Sequence, residues 1–318
     1  MSTAWAFDSR VVIVAGKGGV GSSTVAAALS ILAARTGANV LLIAVDGKPG
    51  LGPLLGGRPL DPNEQVLRTF TRGGVIRGRT IPPAQAFGDY LDLRGIGGIV
   101  RRAASAASLD LVAAATPGLE HLLVLGKIKE LERAGAADLI VVDAPPAGHA
   151  APFLRSANGL RVAVAGGPVR DQAEEVAAML ADPARTQALL VTLPEETPVN
   201  EVVELAGDID DDLGIALAPV VINACWPDRH GLSVPVATAV RAAAISVSAA
   251  DRRSLQTSSQ FGAARLEVQR EQITRLTDAL SIATITLPRI PAPRLTPEHL
   301  DVLAGALAVE PSRHTERR

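Results

Sequence analysis

Residues Gly16 to Thr24 read "GKGGVGSST", between the apolar run "VVIVA" and the alanine-rich "VAAALSILAA". A glycine-rich turn between a strand and a helix points backbone N–H groups at one spot. The start of the helix adds positive potential there, so an anion such as phosphate is bound. The general pattern is Gly-x-x-x-x-Gly-Lys-Ser/Thr. Here Gly16 and Gly21 hold the two glycine positions, with Lys17, Gly18, Gly19 and Val20 between them. Ser22 stands where the lysine belongs, Ser23 takes the position whose hydroxyl would contact magnesium, and Lys17 is a basic residue the pattern does not require.

Three further segments end an apolar run on a polar residue. They are "DLIVVDAPPAGH" (138–149) with Asp143, Gly148 and His149, "LLIAVDGKPG" (41–50) with Asp46, and "VVINACWP" (220–227) with Asn223. Each also has a plain reading as chemistry of the turn that closes a strand.

These residues need a scaffold. Short apolar, β-branched runs predict strands at 10–15, 39–45, 138–144, 188–193, 217–224 and 282–287, and shorter ones at 65–70 and 74–81 around the turn "TRGG". Ser23 to Arg35 reads as a helix, as does "DQAEEVAAMLA". Continuous apolar strands separated by helices predict an α/β fold, a doubly wound and mostly parallel sheet covered on both faces. Residues 82 to about 134, with Leu119, Leu122, Leu123 and Ile128 on one face, depart from that alternation and read as helical. So do residues 230 to 280, where Leu266, Ile273, Leu276 and Leu280 have helical spacing. Together they predict a helical subdomain on a single domain spanning 1–307, followed by a polar tail, 308–318, that frays.

Composition narrows the function. A chain of 318 residues, 47% of them hydrophobic, buries a sizeable core. A net charge of −2 gives no general attraction to nucleic acid or acidic membranes. The basic stretch "RTFTRGGVIRGR" lacks interleaved aromatics and reads as a solvated hairpin. The acidic "GDIDDDLG" (207–214) reads as a helix terminus or turn. The single cysteine, Cys225, excludes an internal disulfide and any thiolate cluster built by one chain. The N-terminus is not that of a signal peptide, and no apolar run is long enough to span a bilayer. The expectation is a cytoplasmic protein without an integral membrane segment.

The string Gly-Lys-Gly-Gly-Val-Gly-x-Ser-Thr after a buried strand resembles the deviant Walker A loop. That loop belongs to dimeric ATPases that include MinD and ParA, the nitrogenase iron protein, and ArsA with its tail-anchored-protein targeting relatives. "DLIVVDAPPAGH" resembles the ArsA-type switch, and "PGLEHLLVLGKIKE" (117–130) and "GGPVRDQAEEV" (166–176) strengthen the likeness to small bacterial ArsA-like ATPases, which occur as paralogous pairs. The resemblance spans about 10 to 305.

It implies a P-loop NTPase fold and an ATPase with ATP and Mg2+ as cofactors. It also implies that Gly16 to Thr24 cradle phosphate, that Ser23 and Asp143 hold magnesium, and that the Gly148 amide senses the γ-phosphate. Asp46 would orient or deprotonate the attacking water, although Gly47-Lys48-Pro49 departs from the family's Pro-Ala. Asn223 would read adenine, and Lys17 would reach the nucleotide of a partner subunit across a homodimer or a heterodimer with a paralogue. Lys48 is a second candidate for replacing the missing charge at Ser22. The resemblance does not extend to the family's cargo sites. One cysteine cannot form an arsenite site, and with only Met1 and Met179 there is no methionine-rich groove. A catalytically silent nucleotide-binding regulatory or scaffold subunit is the alternative implied by Ser22.

Overall fold

A computed structural model describes residues 4–45, 50–93, 116–229 and 231–312. Its centre is β1 (Val11–Gly16), paired in parallel with β5 (Leu139–Asp143) on one side and β6 (Thr186–Thr192) on the other. Beyond β5 come β2 (Asn39–Ala44), β4 (Val75–Thr80) and β3 (Gln65–Thr69); beyond β6 come β8 (Val220–Cys225) and β9 (Thr284–Pro288). Among the described residues every pairing of named strands is parallel except the β3–β4 hairpin. This is the mostly parallel α/β sheet predicted from the strand pattern.

The predicted strand 217–224 is divided. Ala216–Leu217 form a two-residue β7 against β6, and β8 begins after Pro219. Proline has no N–H to give a ladder, so the chain changes neighbours there. Ala218 N–H donates to Ala188 O (2.9 Å) and Val220 N–H to Ala283 O (2.9 Å).

Both faces of the sheet are covered, which is why β1 is apolar at consecutive positions. Val12 and Val14 face a layer that contains α1 (Ser22–Ala34) and α10 (Pro297–Leu307). Val25 to Ala34 of α1 are all buried, and the one polar side chain among them, Ser30, donates back to Ala26 O at 2.8 Å. Leu300, Leu303, Ala304 and Leu307 of α10 close its outer side. Asp301 anchors the layer, accepting from Arg35 at the end of α1 and from Arg68 on β3, both at 2.8 Å.

Ile13 and Ala15 face the opposite layer, made by α4 (Leu119–Arg133), α5 (Ala147–Ala163), α6 (Pro168–Ala181) and α7 (Glu196–Gly207). Leu119, Leu122, Leu123 and Ile128 are buried there, as their spacing predicts. Lys129 of α4, almost wholly buried, donates to Gln172 (2.9 Å) and Glu175 (2.6 Å) of α6. A turn of π-helix, Asp208–Leu213, follows α7, and Arg155 of α5 pairs with its Asp208 (2.6 Å) and Asp212 (2.9 Å).

The remaining described helices are α2 (Leu51–Leu54), α3 (Pro83–Leu93), α8 (Val236–Ala242) and α9 (Ala249–Ala279). The region read as helical over 82–134 thus holds α3 and α4, and residues 94–115 lie outside the described residues. On α9, Leu266 and Leu276 are buried and Ile273 packs against the core, whereas Leu255 and Phe261 in its first half are 46% and 61% exposed. Past α10 the chain runs on to Ser312, which exchanges two backbone hydrogen bonds with Thr284 (3.0 and 2.9 Å). No described helix is long and apolar enough to cross a membrane.

The fit of α10 over α1 predicts a specific loss. Leu303 is 2% exposed, and Leu303→Ala is expected to remove about 2–5 kcal/mol of stability, read from the midpoint of denaturant unfolding at an unchanged slope.

Candidate functional site

The loop from Gly16 to Gly21 joins β1 to α1 at the carboxyl ends of the central strands, where open α/β sheets bind ligands. Two of its glycines, Gly16 and Gly21, answer to close contacts. A β-carbon on Gly16 would lie 2.4 Å from Val191 O of β6. Gly21 has φ +91°, and a β-carbon there would lie 2.4 Å from Asn223 Nδ2. Val20 is buried beneath the loop, and Val25 N–H donates to Gly21 O (3.0 Å), so the helix starts directly from the turn. The cleft above has a volume of about 270 Å³ and is lined by Lys17, Gly18, Ser22, Ser23, Ala144 and Pro146, among others. That is slightly under the range of about 300–1,000 Å³ for small-molecule sites, a size suited to a phosphate chain with the rest of a ligand lying outside.

Ser23 and Asp143 come together although 120 residues separate them. Ser23 Oγ donates to Asp143 Oδ2 at 2.7 Å, and Asp143 is fully buried at the end of β5. Strand register does this: Asp143 lies beside Ala44 of β2 and beside Val14 of β1, two residues before the loop begins. A buried carboxylate needs such partners. Among the described residues no three His, Cys, Asp or Glu side chains form a metal cluster. A hydroxyl and a carboxylate, both hard oxygen donors, nonetheless suit Mg2+, which takes few protein ligands and completes its shell with water and phosphate oxygens.

The loop's two unusual positions behave differently. Ser22 Oγ is buried without a hydrogen-bond partner, and it lies 2.8 Å from where a β-carbon of Gly16 would sit. The hydroxyl is thus tucked under the loop, an orphaned polar atom beside the cradle. Lys17 Nζ lies 2.5 Å from Glu201 Oε1 on α7 of the same chain. Nothing in the sequence marks Glu201. It is 184 residues away, in an amphipathic helix where a glutamate reads as solvent-facing charge.

Asn223 also meets the loop. Its Nδ2 donates to Val20 O (2.8 Å) and its Oδ1 accepts from Ala224 N–H (2.8 Å). Ala224 has φ +54°, and the β8–β9 register shifts between Ile222 and Cys225. This kink presents the Asn223 amide to the underside of the loop. Trp226, two residues beyond Ala224, carries the Arg289 guanidinium 4.1 Å over its ring. Burial pushes the Cys225 thiol up to about 11.

Gly148 lies in the first turn of α5, exposed, with open space where a β-carbon would stand. Pro152, four residues on, has no N–H to offer the Gly148 carbonyl, which loosens that turn. Asp46 and Lys48 lie outside the described residues. Two larger clefts, of about 590 and 640 Å³, adjoin α4 and α6. Their walls hold internal ion pairs, including Arg185–Glu132 and Lys129–Glu175, both at 2.6 Å.

Comparison with known proteins agrees with this geometry. A family model described as anion-transporting ATPase matches residues 9–54, which include β1, the loop and α1. ATPase BagA of Mycobacterium tuberculosis is 33% identical over 302 residues, covering 88% of this chain and 87% of that protein. The arsenical pump-driving ATPase of Escherichia coli is 27% identical over 212 residues, covering 64% of this chain but 33% of that larger protein.

Two measurements check the Asn223 corner. Asn223→Ala leaves the buried Val20 carbonyl without its donor and is expected to cost about 1–3 kcal/mol, read by thermal unfolding. The Cys225 thiol is raised in the fold above its ordinary 9.0, so the unfolded chain loses its proton first. Its effect on stability is therefore flat below pH 9 and falls as the pH rises from 9 to about 11. At pH 8 the native thiol should resist alkylation while the denatured one reacts.

Proposed function

The chain belongs to the ArsA-type family of P-loop ATPases, and from that membership we propose a Mg2+-dependent, ATP-binding, dimeric ATPase with a degenerate loop. Its hydrolysis is weak alone or depends on a paralogous partner with an intact loop. The observation that carries the reading is the Ser23–Asp143 pair at 2.7 Å beneath a glycine cradle whose lysine position is a serine. In this reading the apparatus for phosphate and metal is retained while one charge is lost.

The roles follow from the groups present. The N–H groups of Gly16 to Thr24 bind and orient the phosphates, and Lys17 supplies the loop's one full positive charge. Ser23 and Asp143 would hold Mg2+, which when bound neutralises phosphate oxygens. The Ser23 hydroxyl donates to the Asp143 carboxyl group at 2.7 Å and so fixes both donors side by side. Gly148 stands in the turn that would sense the γ-phosphate, Asp46 would handle the attacking water, and Asn223 would read the base from the position where it also clamps Val20. Serine at position 22 donates a hydrogen bond but no charge. If the missing lysine acts mainly on the transition state, its loss slows hydrolysis by about 10²–10³-fold with less effect on binding.

A second reading, a catalytically silent regulatory or scaffold subunit, is favoured by the inward turn of the Ser22 hydroxyl. The transport and the arsenical cargo in the names of its relatives belong to the proteins so named.

The first experiment is Mg–ATP binding and steady-state hydrolysis by the purified chain, with its mass from light scattering. Tight binding with little turnover, raised about 10²–10³-fold by Ser22→Lys, is the expected result. Absence of binding overturns the reading, and turnover unaffected by Ser22→Lys removes the role given to Ser22. In a mixture with an intact paralogue, Lys17→Ala in this chain should abolish the activity of the pair; unchanged activity rules out the contribution in trans.

A further inference from the structure

Lys17 is the single charged side chain between Gly16 and Thr24, and in this structure it is already engaged. Its ammonium lies 2.5 Å from Glu201 Oε1, and the two side chains are 38% and 34% exposed. The other oxygen, Oε2, is buried with no hydrogen-bond partner. A carboxylate so placed is unfavourable without a counter-charge, and Lys17 is that counter-charge. Lys17 is also among the residues that line the cleft above the loop. Glu201 and a phosphate in that cleft are therefore two anions within reach of one cation.

Glu201 is also tied into the fold from behind. Glu195, at the start of α7, accepts from Arg265 of α9 at 2.6 Å. Asn200, next to Glu201, accepts from Arg275 of the same long helix. The helix that grips the loop's lysine is thus held in place by α9, and Glu201 cannot easily follow Lys17 when it moves.

We infer that Glu201 is a positioning residue that holds Lys17 on its own chain when no nucleotide is bound, and that a nucleotide phosphate must win Lys17 from it. The inference rests on the nucleotide reading of the site for the competition, but not for the hold itself. Glu201 would lower nucleotide affinity and keep Lys17 from reaching outward until phosphate arrives.

Two readouts test it on the full-length chain. The first uses no nucleotide. Brief acetylation of lysines at pH 8, followed by peptide mass spectrometry, compares Lys17 with Lys127, which pairs with Asp89 at 2.6 Å and serves as the internal reference. In Glu201→Gln the Lys17/Lys127 labelling ratio should rise about fivefold, the upper end expected for an ion pair that touches solvent. An unchanged ratio overturns the hold. The second is calorimetric titration with Mg–ADP. Glu201→Gln should bind about fivefold more tightly than the natural chain, and the gain should vanish when Lys17→Ala is added. A gain that persists without Lys17, or no gain where labelling has accelerated, overturns the competition. Failure of every chain to bind Mg–ADP overturns the nucleotide reading instead, and the labelling ratio still decides whether Glu201 holds Lys17. Glu201→Ala is the second variant if the glutamine form fails to fold.

Discussion

A helix whose first turn borders a cleft and whose remaining length is buried on every side constrains everything around it. α1 has no solvent face from Val25 to Ala34, so it must be narrow, and its alanines at 26, 27, 28, 33 and 34 make it so. It must be roofed, and α10 provides the roof from the other end of the chain. Its last turn must be anchored, and Arg35 does so through Asp301. The result is a helix start held rigidly above the sheet, which is what a fixed array of backbone donors requires.

The electrostatics of the loop are correspondingly lean. Backbone dipoles and Lys17 supply the positive side, and Asp143 and Glu201 supply two carboxylates within the same small region. Asp143 is shielded by complete burial and by the Ser23 hydroxyl, whereas Glu201 is partly exposed and engages Lys17. Position 22 adds no charge. Such a site leans on geometry more than on charge, and geometry here is enforced by contacts that leave no room for a side chain at Gly16 or Gly21.

Much of this was legible in the sequence because it depends on local pattern. Buried parallel strands are apolar at consecutive positions, so β1, β2, β5 and β6 announce themselves. Strand, glycine turn and small-residue helix in succession mark the loop. Asp143 is named through the resemblance of "DLIVVDAPPAGH" to the ArsA-type switch, since the strand and its Pro-Pro turn alone read as ordinary turn chemistry. What was not legible depends on the third dimension. Glu201 looks like any glutamate on an amphipathic helix, and only the β6–α7 connection brings it to Lys17. Pro219 was visible, but its effect, a change of strand neighbour, depends on β9 being available to accept the chain. The clamp from Asn223 to Val20 needs the left-handed backbone at Ala224, which an alanine gives no reason to expect.

The roofing of α1 by α10 has a consequence for how the molecule comes into being. β1 and the loop precede the strand β6 beside them, the Asn223 clamp beneath them and the helix that covers α1, which come progressively later in the chain. Contacts of such long sequence separation form slowly, after much loop-closure entropy has been lost. During synthesis, α1 therefore leaves the ribosome as a helix with no cover, and its hydrophobic flank stays open until α10 arrives. Truncation before residue 297 would remove that cover and leave the loop on an unfinished wall. The loop thus rests on a finished wall only once α10 has closed over α1.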